Sequence, residues 1–194
     1  MKTLFDHDLT QEEAEELIKN GAVPMNHFVY DRYRCFFSDN QRKMFDLFKV
    51  FTSNANDFNQ MCIAYQNDEK DLYLHKKDDY GRTLIFFCWD DELMQFLIDL
   101  GSNVNEKSNG GRSVLDGFQG LEITAKVLIN NGAVPTEVET YRILRNLFSK
   151  EKQNAFDAFM SITNNNNDFY QMCLAYQNDI KNHVKIDIKE IDII

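Results

Sequence analysis

The sequence predicts an all-α fold, a solenoid of stacked helix pairs joined by short finger loops, and three observations carry that expectation. The first is an internal duplication: LIKNGAVP at Leu17–Pro24 returns as LINNGAVP at Leu128–Pro135, and DFNQMCIAYQNDEK at Asp57–Lys70 returns as DFYQMCLAYQNDIK at Asp168–Lys181. Both shifts are 111 residues, the alignment of 17–70 with 128–181 needs no gap, and 28 of its 54 positions are identical. The second is a shorter period inside the long one. YGRTLIFFCWDDELMQFLIDLGSNVN from Tyr80 is followed by GGRSVLDGFQGLEITAKVLINNGAVP from Gly110, so Gly81 and Gly111 stand 30 residues apart. Units of that length cannot bury their own apolar face and must stack on neighbours. The third is composition: two prolines and eight glycines in 194 residues disfavour a turn-dense β fold.

Taken in chain order, Glu12, Glu13, Glu15 and Glu16 make the first helix strongly acidic, a polar surface suited to the end of an array. Gly21, Gly101 and Gly132 close helices where a left-handed residue is needed. Met44, Leu47, Phe48 and Phe51 fall at i, i+3, i+4 and i+7, one face of a helix, and Ala155, Ala158, Phe159 and Ile162 repeat the spacing. Phe58, Met61, Cys62 and Tyr65 form a second such face, reproduced by Phe169, Met172, Cys173 and Tyr176. The links TSNAND and TNNNND end in Asp57 and Asp168, which read as N-caps because a carboxylate accepts from the exposed amides of a helix start. The duplication stops after Lys181. In the tail, residues 182–194, Val184, Ile186 and Ile188 alternate with charged residues, which leaves an edge strand and a frayed end as alternatives.

GRTLIFFC followed by ELMQFLIDLGSNVN resembles an ankyrin repeat, with its opening turn, paired helices and terminal glycine. Gly81 and Thr83 stand where that family places its turn and helix cap, and Leu97, Ile98, Gly101, Val104 and Asn105 match the outer helix and its exit. Gly111, Ser113, Leu115, Leu128, Ile129, Gly132 and Ala133 do the same in the next unit. The family's proline is Leu84 or Val114 here, its histidine Phe86 or Asp116, and its small alanines Cys88 and Trp89. The resemblance is clearest over residues 78–135. It implies one solenoid domain over 1–194, of about five or six units by length over period, with a duplicated, enlarged module in each half.

The chain carries 21 Lys and Arg against 31 Asp and Glu, a net charge of −10, which argues against nucleic acid and anionic membranes and favours a basic protein partner. The acidic N-terminus has no signal-peptide core and no run approaches a membrane span, so a cytoplasmic protein is expected. Cys35, Cys62, Cys88 and Cys173 lack CxxC spacing and have apolar neighbours, so they read as buried free thiols. The four histidines have no metal spacing, no nucleotide or hydrolase motif occurs, and Gly110–Ser113 is explained by its turn. No enzyme, cofactor or metal site is expected.

Phe86, Phe87 and Trp89 cluster at one helix start, and aromatic side chains dominate interface centres. The resemblance places Phe87 on the concave surface as a candidate contact, with packing between repeats as the alternative; Trp89 reads as core. Asp78, Asp79, Asp90 and Asp91 flank this cluster as a charged surround that would steer a basic partner, or as a solvated face. The family implies a binding module, here a stoichiometric inhibitor such as an immunity protein that neutralises a basic bacterial toxin. A scaffold or secreted effector docking a host protein is the alternative.

Overall fold

The computed structural model describes the backbone of residues 3–4, 9–117 and 122–191 and the side chains of 9–117 and 122–180. Among the described residues the regular secondary structure is helical apart from a two-residue parallel pairing of Thr3–Leu4 with Val23–Pro24 and an isolated bridge between Lys107 and Ser113. The chain divides into two compact units, one of residues 1–89 with 99–102, the other of 90–98 with 103–194.

In the first unit, helix α1 (Gln11–Lys19) starts with a capping box. Thr10 Oγ1 accepts from the Glu13 amide at 3.2 Å, and the Glu13 carboxylate accepts from the Thr10 amide at 2.9 Å. The chain leaves it through Gly21 at φ +84°, a conformation that side chains with a Cβ resist. Helix α2 (His27–Tyr33), capped by Asn26, runs into a 3₁₀ turn at Arg34–Phe36, and α3 (Asp39–Phe51) opens on a Ser38–Gln41 capping box. Helix α4 (Ala55–Gln66) ends at a turn where Asp68 takes φ +58° and the Glu69 amide donates to the Ala64 carbonyl at 2.8 Å. The chain then folds back as the short α5 (Asp71–Leu74) and a 3₁₀ turn at Leu84–Phe87. The predicted face of Met44, Leu47, Phe48 and Phe51 is buried together with Phe45. Ring contacts join Phe48 to Tyr73 at 5.6 Å and Phe51 to Phe87 at 5.4 Å, so the returning segment covers α3.

The second unit contains the start of α6 (Asp91–Leu100), whose last two residues belong to the first unit, then α7 (Glu122–Asn130), α8 (Val138–Leu144), a 3₁₀ turn at Arg145–Leu147, α9 (Lys150–Ile162) and α10 (Asn166–Ile191). The bounds of α7, α8, the turn and α9 lie 111 residues beyond those of α1, α2, the 34–36 turn and α3, and α10 starts 111 beyond α4.

A polar clamp recurs at the same interval. Tyr30 Oη donates to Asp46 Oδ1 at 2.8 Å and Arg34 Nε to the same oxygen at 3.0 Å; Tyr141, Asp157 and Arg145 repeat both distances. Each clamp ties the 3₁₀ turn and the helix before it to the middle of the next helix. Hydrogen bonds from Arg145 hold the Asp157 carboxyl down at about 2 against the effect of burial, with Tyr141 adding to the shift. Burial raises Asp46, but Arg34 and Tyr30 outweigh it and leave the carboxyl below its usual range.

Four sequence expectations are corrected. Helices α4 and α10 are preceded by Asn54 and Asn165, whose Oδ1 atoms accept from the Asp57 and Asp168 amides at 3.0 and 3.1 Å. Asn54 is the N-cap of α4, and both aspartates therefore lie inside the first turn, where their charge meets the helix dipole instead. The face of Ala155, Ala158, Phe159 and Ile162 is not buried like its counterpart: Phe156 alone is fully buried in α9, and Ile162 is 70% exposed. Cys35 is exposed, whereas Cys62, Cys88 and Cys173 are buried. The alternation of Val184, Ile186 and Ile188 does not make a strand, because α10 continues as helix through Ile191, satisfying its backbone within the segment. Residues 192–194 of the tail lie outside the described residues.

Candidate functional site

Residues 78–82 form a finger turn in the first unit. The Asp78 amide donates to the Arg82 carbonyl at 3.0 Å and the Gly81 amide to the Asp78 carbonyl at 2.9 Å, with Gly81 at φ +74°. The Asp78 carboxylate sits inside the turn. Its Oδ1 accepts from the Tyr80 and Arg82 amides at 3.0 and 2.8 Å, and its Oδ2 pairs with Arg82 Nη2 at 2.7 Å. Burial works against this charge, but the hydrogen bonds from Arg82 prevail and lower its pKa. Asp78 is thus the organiser of the finger more than a rim charge.

That ion pair fixes the guanidinium between two aromatic rings. Arg82 Cζ lies 5.0 Å from the centroid of Tyr80 and 4.5 Å from that of Phe87, contacts worth about 0.5–1 kcal/mol each at exposed sites. Phe87 is half-buried, with its ring edge-on to Phe51 at 5.4 Å. It therefore packs within its own unit and also forms part of the finger surface. Tyr80 at the tip is 67% exposed, and Trp89 just beyond the 3₁₀ turn is 61% exposed, which overturns the core reading of Trp89. The helix there ends at Phe87, one residue short of Cys88, so Trp89 never enters a helical face.

The structure joins Phe87 to Asp78 through Arg82 and leaves Asp79 exposed on the same finger. Asp90 and Asp91 open α6 in the second unit; Asp90 Oδ1 accepts from the Leu93 amide at 2.7 Å, which caps that helix, and Asp91 is exposed in its first turn.

The second finger, Ser108–Arg112, has the same backbone bonds, Ser108 amide to Arg112 carbonyl at 3.0 Å and Gly111 amide to Ser108 carbonyl at 2.9 Å. It carries none of the aromatic surface, because Gly110 stands where Tyr80 does and Gly117 where Phe87 does. Asp116 there is 2% exposed and accepts from the Ser113 amide at 2.6 Å, Ser113 Oγ at 2.8 Å and the Thr136 hydroxyl, a buried tie between the finger and the chain beyond α7. Such a carboxylate, with its oxygens occupied, is structural.

Tyr80 is a surface aromatic that the sequence pattern does not single out, and Trp89, expected in the core, lies at the surface. The signal for Tyr80 was its place between Asp79 and Gly81 at a finger tip, where a side chain has no core to enter. Among the described residues no group of three or more His, Cys, Asp and Glu side chains is placed to hold a metal ion, and no helix is long and apolar enough to cross a membrane. Burial raises the Cys62 and Cys173 thiols well above their ordinary range, so both are poor nucleophiles at neutral pH. No family model matches the sequence, and no characterised protein or solved structure matches it significantly.

Proposed function

We propose that the chain is a protein-binding solenoid of ankyrin type, its halves related by duplication, that acts in the cytoplasm as a stoichiometric inhibitor such as an immunity protein neutralising a basic bacterial toxin. The observation that supports this reading is the first finger. Tyr80 and Phe87 flank Arg82, which its pair with Asp78 holds in place, and Trp89 is exposed two residues beyond Phe87, in a chain of net charge −10. Rigid aromatic area supplies binding energy at little entropic cost. The surrounding charge raises the encounter rate with a cationic partner and suppresses anionic ones.

The test is recovery of the partner from the source cells with the tagged chain, using the Tyr80→Ser/Trp89→Ser variant as the control. Both residues are exposed, so the variant keeps its fold. The proposal expects one basic protein, retained at 1:1 by the original chain and lost by the variant, whose own toxic activity is blocked by the complex. A partner retained equally by both, or one whose activity is unaffected, contradicts it.

A further inference from the structure

The two units treat the same helical face differently. In the first, the chain turns at Asp68 after α4 and returns over α3, placing Tyr73 against Phe48 and Tyr65 at 5.6 and 5.8 Å and Phe87 against Phe51. In the second, the matching sequence AYQND does not turn, and α10 runs on through Ile191. Identical residues change environment as a result: Phe48 is 0% exposed and its counterpart Phe159 half-buried, while Ala64 is 2% exposed and its counterpart Ala175 exposed. Ile162 stands at 70% where Phe51 stands at 8%. A terminal surface adapted only for solvent would be polar along this strip. Here the exposed position is an isoleucine, one turn from the half-buried Phe159.

Among the described residues, the charge next to the strip also lacks its counterpart. In the first unit Lys76 Nζ, from the returning segment, pairs with Asp57 Oδ1 at 3.1 Å. The equivalent Asp168 is exposed, with Thr163 Oγ1 at 3.5 Å.

We infer that the α9–α10 face of the second unit docks a segment of a partner protein with the chemistry of residues 71–87: an aromatic and aliphatic strip that covers Phe159 and Ile162, with a lysine or arginine that meets Asp168. The occupant is specified by the first unit, where this chain covers the same face with such a segment. The surface is separate from the first finger and does not depend on the function proposed for it.

The probe is a fluorescent synthetic peptide of residues 69–89, titrated into the full chain and read by anisotropy. Saturable binding is expected, weakened about tenfold or more by Ile162→Asp, since burying that side chain is worth more than about 1.4 kcal/mol. Asp168→Asn should weaken it a few-fold and remove most of its salt dependence. Val50→Asp, at a position 64% exposed on α3, should change nothing. Absence of saturable binding overturns the inference, as does binding that Ile162→Asp leaves intact. Self-association of the chain without peptide, abolished by Ile162→Asp, also overturns it, because a second copy would then be the occupant.

Discussion

Phe48 and Phe159 occupy matching positions in α3 and α9, so truncating each to alanine measures how differently the two units pack. Phe48 is 0% exposed, with Phe45, Tyr65 and Tyr73 rings 6.1, 6.3 and 5.6 Å away. Truncating a fully buried phenylalanine to alanine loses the transfer free energy of the ring and leaves a cavity, together about 3–5 kcal/mol, the cost expected for Phe48→Ala. Phe159 keeps Phe156 and Tyr176 at 6.1 and 6.2 Å but is half-buried. It forfeits about half the transfer energy and leaves an open notch, so Phe159→Ala should cost roughly 1–2 kcal/mol. The chain has two compact units and need not unfold in one step, so the assay is hydrogen exchange of the α3 and α9 amides across a urea series. Equal losses in the two variants, or a larger one for Phe159→Ala, would refute the claim that the second face is uncovered.

Thiol labelling of the native protein should modify Cys35 rapidly and Cys62, Cys88 and Cys173 only on unfolding, as their burial dictates; rapid native labelling of Cys62 or Cys173 would contradict the core. Asp116→Ala should destabilise the second unit by on the order of 3 kcal/mol, because the Ser113 and Thr136 donors are left buried without an acceptor, and a loss under about 1 kcal/mol in the same exchange assay would contradict that role. The clamp carboxylates have folded pKa values below the unfolded value of about 3.9. Their stabilisation is therefore complete above roughly pH 5, declines below the unfolded pKa, and for Asp157 is lost as pH falls through about 2. Asp46→Asn and Asp157→Asn should flatten that acid limb of a stability–pH profile, and an unchanged limb in both would show that the clamps are not what titrates.

Helix positions were legible because they depend on local signals: the 3–4–7 spacing of Met44, Leu47, Phe48 and Phe51, and glycine where the chain must leave a helix. Coverage was not legible. The spacing in Ala155–Ile162 copies that of α3, yet whether a face is buried depends on what returns over it, which is decided beyond the helix: the first unit turns at Asp68, whereas α10 runs on through Ile191. The N-caps were misplaced by three residues because Asn54 and Asp57 are both competent acceptors, and only backbone geometry chooses between them. The clamps were overlooked although Tyr30, Arg34 and Asp46 all survive in the second copy. Their retention amid changed neighbours such as Asp31 and Lys49 was the available signal. At the finger, the resemblance points to Phe87 and the acidic flank of the aromatic cluster to Asp78, whereas Arg82, which contacts both, is hidden because opposite charges four residues apart in a turn give no periodic pattern.

The proposed function requires the first finger to present the contact surface for a cationic protein. Calorimetric titration of the recovered partner into the chain and into its Tyr80→Ser/Trp89→Ser variant, at two salt concentrations, tests it most directly. A 1:1 complex is expected, weakened by about 2 kcal/mol or more in the variant as for central aromatic contacts. For both proteins affinity should fall with added salt, because charges more than roughly 10 Å apart are screened at 0.1 M. Unchanged affinity in a variant that retains its helical content and thermal transition would place the binding surface elsewhere on the chain.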